Sequence, residues 1–209
     1  MRSGKLQADV VDVLAIDYPP FTGEKLPGNG LSFRLLQAYA HKHMTVAVRP
    51  KFLPPARVQV LLSEGAWCLS FYPPKSNNKF AGFLQLSDQW VDLGLFRRAR
   101  EDRFVWAALQ DLSGGKIATF RTPTFGDLYS QFSQAGLELV YVDHLEQAFK
   151  LLINNRVDYV FADRFAPENM SYTQKYLTQL QFGETILTKT QVGFFYNKSC
   201  ASKIFRSHL

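Results

Sequence analysis

The sequence predicts an α/β fold in two lobes, and three observations carry that reading. Apolar runs of strand length alternate with stretches of helical spacing nearly from end to end, the order expected of βαβ units. The 209 residues are 46% apolar and 14% aromatic, ample material for a buried core. The alternation pauses between residues 92 and 111 and restarts at Leu112, which reads as a second lobe.

Taken in order, Val10 to Ile16 is a buried strand that stops at Asp17-Tyr18-Pro19-Pro20-Phe21, where two prolines remove backbone donors and impose a turning path. Asn29-Gly30 opens a helix with Leu31, Leu35, Ala38 and Tyr39 as its apolar face. A second strand is expected through Thr45 to Val48. Pro54-Pro55 begins a helix carrying Val58, Leu61 and Leu62 that ends at Gly65. Ala66 to Phe71 is a third strand, and it too runs into an aromatic-proline turn, Tyr72-Pro73-Pro74. Ligands gather at such carboxyl ends of strands.

In the second half, Gly114-Gly115 turns into a strand over Lys116 to Phe120. Phe125, Leu128 and Phe132 mark a helical face that Gly136 closes. Leu137 to Val142 is a strand, and Asp143 with Glu146 makes a capping box for a helix bearing Leu145, Ala148, Phe149 and Leu152. Val157 to Ala162 is a strand ending at Asp163. A helix is expected around Ser171 to Leu180, extended chain over Thr185 to Tyr196, and a short helical stretch from Ala201. Residues 1–95 with 184–209 form the first expected lobe and 96–183 the second, joined near 92–111 and 183–196.

Composition removes several function classes. Lysine and arginine outnumber acids 24 to 18, but the surplus is spread along the chain. Its densest stretch, Arg97 to Arg103, is interrupted by Glu101 and Asp102 and reads as a solvated face, so no nucleic-acid partner is expected. His41 and His43 are two apart and point to different sides of a helix, a poor metal pair. None of the four histidines sits at a strand end with a nucleophile, and no Walker or dinucleotide motif follows the first strand. The chain therefore reads as a non-enzyme with no cofactor and no metal. Cys68 and Cys200 have no metal-like spacing; Cys68 fits as a small buried thiol, and one disulfide is open to them. No segment approaches the ~20 apolar residues of a membrane span. Nothing ahead of Val10 resembles a signal peptide, so an exported form would have lost its leader from this sequence, with Met1 an added start.

Several phrases then fall into a known order. They are Tyr18-Pro19-Pro20-Phe21 after the first strand, the Gly30-led helix, and Pro55-Ala56-Arg57 leading to Ser63-Glu64-Gly65. After them come Leu86-Ser87-Asp88-Gln89-Trp90, then Asp111 to Ala118, Glu146-Gln147-Ala148, and Asn155-Arg156-Val157-Asp158-Tyr159-Val160 ending in Asp163. Together they resemble the bacterial extracellular solute-binding proteins of family 3, the polar amino acid type, over nearly the whole chain. The resemblance implies a periplasmic-binding-protein type II clamp, each lobe a mainly parallel sheet flanked by helices. It also implies a periplasmic or extracellular monomer that hands a small-molecule ligand to an inner-membrane ABC permease or a sensor, without inserting in the membrane. A sensing or partner-binding module and a dehydratase-like enzyme are the alternatives on the same fold.

The resemblance also places the ligand-binding candidates. Asp17, Tyr18 and Phe21 lie in the first aromatic loop, where relatives set a ring against the ligand; a ring offers contact area and can face a cation. Asp163 stands where relatives place a carboxylate for the ligand's ammonium, the alternatives being a pair with Arg164 or a cap on the next helix. Arg121, Thr122, Thr124 and Phe125 sit between a strand and a helix start, where free backbone donors suit an anion; capping alone is the favoured reading for Thr124. After the third strand relatives carry an arginine that grips a carboxylate. Here the stretch is Ser70, Phe71, Tyr72, then Pro73-Pro74-Lys75, with no arginine. Lys75 or Lys79 supplies charge there without the planar fork of a guanidinium. An aromatic cleft of this kind suits a flat, cyclic or cationic ligand at least as well as a plain amino acid.

Overall fold

The computed structural model describes residues 9–75, 77–120 and 128–206. Its strands join in one curled, mixed sheet ordered β2-β1-β3-β9-β4-β7-β5-β6, with β8 also on β4. The first half supplies β1 (Val10–Ala15), α1 (Leu31–His43), β2 (Ala47–Phe52), α2 (Pro55–Glu64) and the two-residue β3 (Leu69–Ser70). β1 runs parallel to β2 and to β3. The second half supplies β5 (Lys116–Phe120), α3 (Leu128–Gln134), β6 (Glu138–Val142), α4 (Leu145–Ile153) and β7 (Tyr159–Asp163), with β5 parallel to both β6 and β7. Parallel strands need crossovers, and the helices provide them.

Three antiparallel strands tie the halves together. β4 (Ala81–Arg98) pairs with β9 (Thr188–Asn197) along Ala81–Gln85 and Trp90–Leu93, with the register shifting between. β4 then pairs with β7 over Leu93–Phe96 and with β8 (Leu180–Phe182) over Phe96–Arg98. A final short helix, α5 (Ala201–Ile204), follows β9.

Several expectations shift for physical reasons. α1 buries Ser32, Phe33, Leu36 and Ala40 rather than the face through Leu35 and Ala38, because Phe33 and Leu36 fill the space under β1 and β9. β2 begins two residues later than expected and tolerates Pro50, which an edge strand allows. α4 takes His144, not Asp143, as its N-cap residue. The helix expected over Ser171 to Leu180 is a 3-10 turn, Gln174–Gln179, preceded by another at Ala166–Asn169. Arg97 is buried, not part of a solvated face. Its guanidinium donates to Gln181 Oε1 at 2.8 Å and to Asp102 Oδ2 at 2.9 Å, and lies over the Phe104 ring.

The buried residues form three clusters, and one of them is shared between the halves. One buried cluster runs from Leu14, Ile16 and Tyr72 through Phe96 and Phe120 to Phe149 and Leu152, so it contains side chains from both halves. Each fully buried Phe or Leu contributes about 1.5–3 kcal/mol of apolar transfer. Cys68 and Cys200 form a disulfide, fastening the chain ahead of β3 to the turn ahead of α5. Among the described residues no helix is long and apolar enough to cross a membrane.

Candidate functional site

The first aromatic loop is held by backbone bonds at both ends. Tyr18 and Thr22 exchange backbone bonds (Tyr18 N–H to Thr22 O, 2.7 Å; Thr22 N–H to Tyr18 O, 3.0 Å), and the Thr22 hydroxyl donates to Ile16 O at 2.7 Å. The loop carbonyls of Pro20 and Phe21 accept the first amides of α1, from Leu31 at 3.0 Å and Ser32 at 2.9 Å. Those amides have no partner inside the helix, so loop and helix start stabilise each other. Gly30 permits the approach: its φ is +98°, and a Cβ there would lie 2.5 Å from Phe21 O.

The second aromatic turn is held by Ser70. Its buried hydroxyl donates to Tyr72 O at 2.7 Å and accepts from Tyr72 N–H at 3.0 Å, which leaves Phe71 and Tyr72 on either side of a fixed bend. Phe71 N–H donates to Leu14 O, continuing the β1 ladder.

Between these turns and the end of β7 lies a cavity of about 280 Å³. Tyr18, Phe21, Phe71, Tyr72, Phe120 and Asp163 all line it. β4 adds Phe83, Val91 and Leu93, and β9 adds Thr188 to Gly193. Phe83 reaches over the cavity because Gly193 has no side chain; a Cβ there would lie 2.4 Å from the Phe83 ring. The walls are mostly apolar.

Asp163 is fully buried. One carboxylate oxygen accepts the Phe165 N–H at 2.9 Å, and the other has no hydrogen-bond partner among the described residues. Burial raises its pKa to about 6, with the Phe165 amide and the Tyr18 hydroxyl opposing part of that rise. Its backbone N–H donates to the Tyr18 hydroxyl oxygen at 3.1 Å, linking the first aromatic loop directly to the end of β7. Burial, then the Asp163 charge, holds the Tyr18 hydroxyl well above its ordinary pKa, so it remains protonated. Arg164 turns away: it pairs with Asp92 at 3.6 Å and lies over the Phe182 ring. Neither structural alternative for Asp163 holds: Arg164 pairs elsewhere, and the N-cap of the 3-10 segment Ala166–Asn169 is Phe165, so the bond from Phe165 N–H is a local turn two residues long. A buried carboxylate with an open oxygen favours a cation or a hydrogen-bond donor, because either relieves the cost of desolvation.

The other candidates lie as follows. Asp17 is exposed, and its carboxylate accepts the Glu24 N–H at 3.0 Å outside the cavity lining. Ser70 is consumed by its own turn. Lys75 lines a different hollow, together with Lys79. Arg121, Thr122, Thr124 and Phe125 lie outside the described residues. The lining residues of β4 and β9 were not among the sequence candidates. They carry no local motif, and their place follows from a pairing some hundred residues apart in the chain.

No protein-family model and no curated protein matches the sequence. Solved structures do. Arginine-bound truncated ArgBP from T. maritima superposes with a TM-score of 0.69 at 21% identity, over 91% of this chain and 89% of that one. The GluR0 ligand-binding core from Nostoc punctiforme in complex with L-glutamate gives 0.70 at 16% identity, over 92% and 87%. The VFT2 domain of Bordetella pertussis BvgS gives 0.65 at 16%, over 91% and 81%. The chain has the two-lobed periplasmic-binding-protein fold. In this fold, the cavity between the aromatic turns and Asp163 is the candidate ligand site.

Proposed function

We propose that the protein is a divergent family 3 solute-binding protein working outside the cytoplasm, closing on a small ligand that carries a protonated nitrogen and a flat or apolar body. The observation that carries this reading is the buried Asp163 carboxylate, one oxygen of which has no partner among the described residues, in the lining of an aromatic cavity of about 280 Å³. A cation there meets an acceptor in a low-polarity setting, and the aromatic rings add contact area and a negative π face. The lobes are residues 1–95 with 184–209 and residues 96–183. Tyr18 on the first and Asp163 on the second are the jaws, with Phe21, Phe71 and Tyr72 as walls. A ligand touching both jaws favours the closed clamp by its differential affinity. The Cys68–Cys200 disulfide suits an oxidising compartment. The partner of the closed clamp is an ABC-type permease.

A sensing or partner-binding module is the second reading, favoured by the Tyr18–Asp163 bond, which already joins the two jaws with nothing between them. A thermal-shift screen of protein unfolded and refolded to strip carried-over ligand tests the first reading. Amines and cationic amino acids are expected to raise the melting temperature. A panel in which only anions act, or nothing acts, overturns it and leaves the sensing module.

A further inference from the structure

We propose that the free backbone edge of β9 at Gln191 and Gly193 is a hydrogen-bonding subsite, and that it selects a small amine bearing a neutral amide, such as an amino acid amide, over a free amino acid. This rests on the proposed reading of the cavity for the protonated nitrogen and adds the group at the ligand's other end.

The cavity touches six successive residues of β9, Thr188 to Gly193. A cavity against one face of a strand would touch every second residue, so this one lies along the strand's edge. The edge is bare because β3 is short. β3 pairs with β9 through Leu69 opposite Tyr196 and Ser70 opposite Phe195; continued in that register, Tyr72 would stand opposite Gly193. Instead the Ser70 hydroxyl, donating to Tyr72 O at 2.7 Å, bends the chain away, and Pro73-Pro74 follow without N–H groups for a ladder.

Two hydrogen bonds fix which groups the edge presents. The Asn197 N–H donates to Cys68 O at 2.9 Å, so on β9 the odd-numbered residues turn their N–H and C=O toward β3. On the far side, the Arg164 N–H donates to Asp92 O at 3.1 Å, which turns Asp92 toward β7 and leaves Val91 and Leu93 to bond with β9. Their partners are Thr190 and Thr188, the even-numbered residues. Gln191 and Gly193 therefore point their N–H and C=O groups away from β4 and into the cavity, past the end of β3, where no described strand pairs with them.

Each of the two residues offers one donor and one acceptor there. An amide answers both, whereas a carboxylate only accepts and would set its charge against the carbonyls. Charge argues the same way. The charged residues among the described lining are Asp163 and Lys189. The Lys189 ammonium is held 3.5 Å from Asp92, on the opposite face of the sheet from the lining residues Val91 and Leu93. A ligand carboxylate would thus share the cavity with the buried Asp163 and no described cation, at a cost that a neutral amide avoids.

The test compares a free amino acid, its amide and the corresponding plain amine by calorimetric titration at pH 7.0, in the phenylalanine, leucine and arginine series. In at least one series the amide should bind tenfold or more tighter than the acid, and tighter than the plain amine. In ¹⁵N–¹H correlation spectra, the backbone signals of Gln191 and Gly193 should move with the amide and move less with the plain amine. Gln191→Pro removes one donor of the free edge without removing a bond to β4, and should cut the preference for amide over plain amine tenfold. An acid or a plain amine that binds as tightly as the amide in every series overturns the amide assignment and leaves the cationic clamp standing. An amide that binds while the Gln191 and Gly193 signals stay still overturns the edge as the subsite. A panel in which nothing binds overturns the underlying reading and this one with it.

Discussion

At the scale of single residues, Asp163 has two oxygens in unlike settings, one bonded to the Phe165 N–H and one open. Its folded pKa, raised from 3.8 to about 6, means the folded chain holds its proton over a range where the unfolded chain has lost it. The associated stability is fully present below the ordinary value and is lost as the pH rises through about 6. The loss is on the order of 3 kcal/mol at most. Asp12, held below its ordinary pKa first of all by the Arg49 hydrogen bond, acts with the opposite sign, so the useful comparison is with Asp163→Asn. The variant should gain stability relative to the parent between pH 4 and 7, measured by urea unfolding. A constant difference across that range would show that Asp163 does not titrate there. That Tyr18 follows a strand in a loop and Asp163 ends one could be read from the sequence, because strand ends are visible in a single chain, and the resemblance then marked both as candidates. The direction of Lys75 could not, since the turn at Pro73-Pro74 reverses which hollow the following residues face.

Among the elements, β1, α2, β5, β6, β7 and β9 lie close to their expected places because apolar spacing and glycine or proline punctuation bound them. β4 was legible only as the phrase Leu86 to Trp90 and the start of the joint near residues 92–111. Its glycines and the run Ser87-Asp88-Gln89 break the alternation, and its pairing with β9 lies far away in sequence. The helix expected from Ser171 lacks an apolar stripe deep enough to hold it. Instead, Thr173 donates its hydroxyl to Met170 O at 2.9 Å and also to Pro167 O, which winds the segment tightly. The joint between the first aromatic loop and α1 yields a prediction at this scale. Gly30→Ala places a Cβ against Phe21 O at a φ of +98°, so it should cost about 2–4 kcal/mol and displace the Tyr18 loop. Denaturant unfolding checks the first effect. A variant as stable as the parent would mean that loop and helix start are not in contact.

For the whole molecule, the shared core and the antiparallel strands explain how two halves, each with its own parallel strands, join in one sheet. The alternation of strand and helix showed the two lobes in the sequence. Their common core did not show, because Ile16, Tyr72, Phe96 and Phe120 meet only after the chain has crossed between halves. The disulfide closes a loop with a sequence separation of 132, for which the chain-entropy argument gives about 5 kcal/mol as an upper figure. Reductant should therefore lower the urea midpoint of the parent and leave Cys68→Ser with Cys200→Ser unmoved. An unaltered parent midpoint would argue that the bond adds nothing to stability. The clamp's central claim is that Asp163 receives a cationic group of the ligand. Calorimetric titration of the strongest amine found by thermal shift, into the parent and into Asp163→Ala at pH 7.5, tests it most directly. Affinity at least tenfold weaker in the variant is expected, about 1.4 kcal/mol or more. Equal affinity in the two proteins would remove Asp163 from the site and contradict the account.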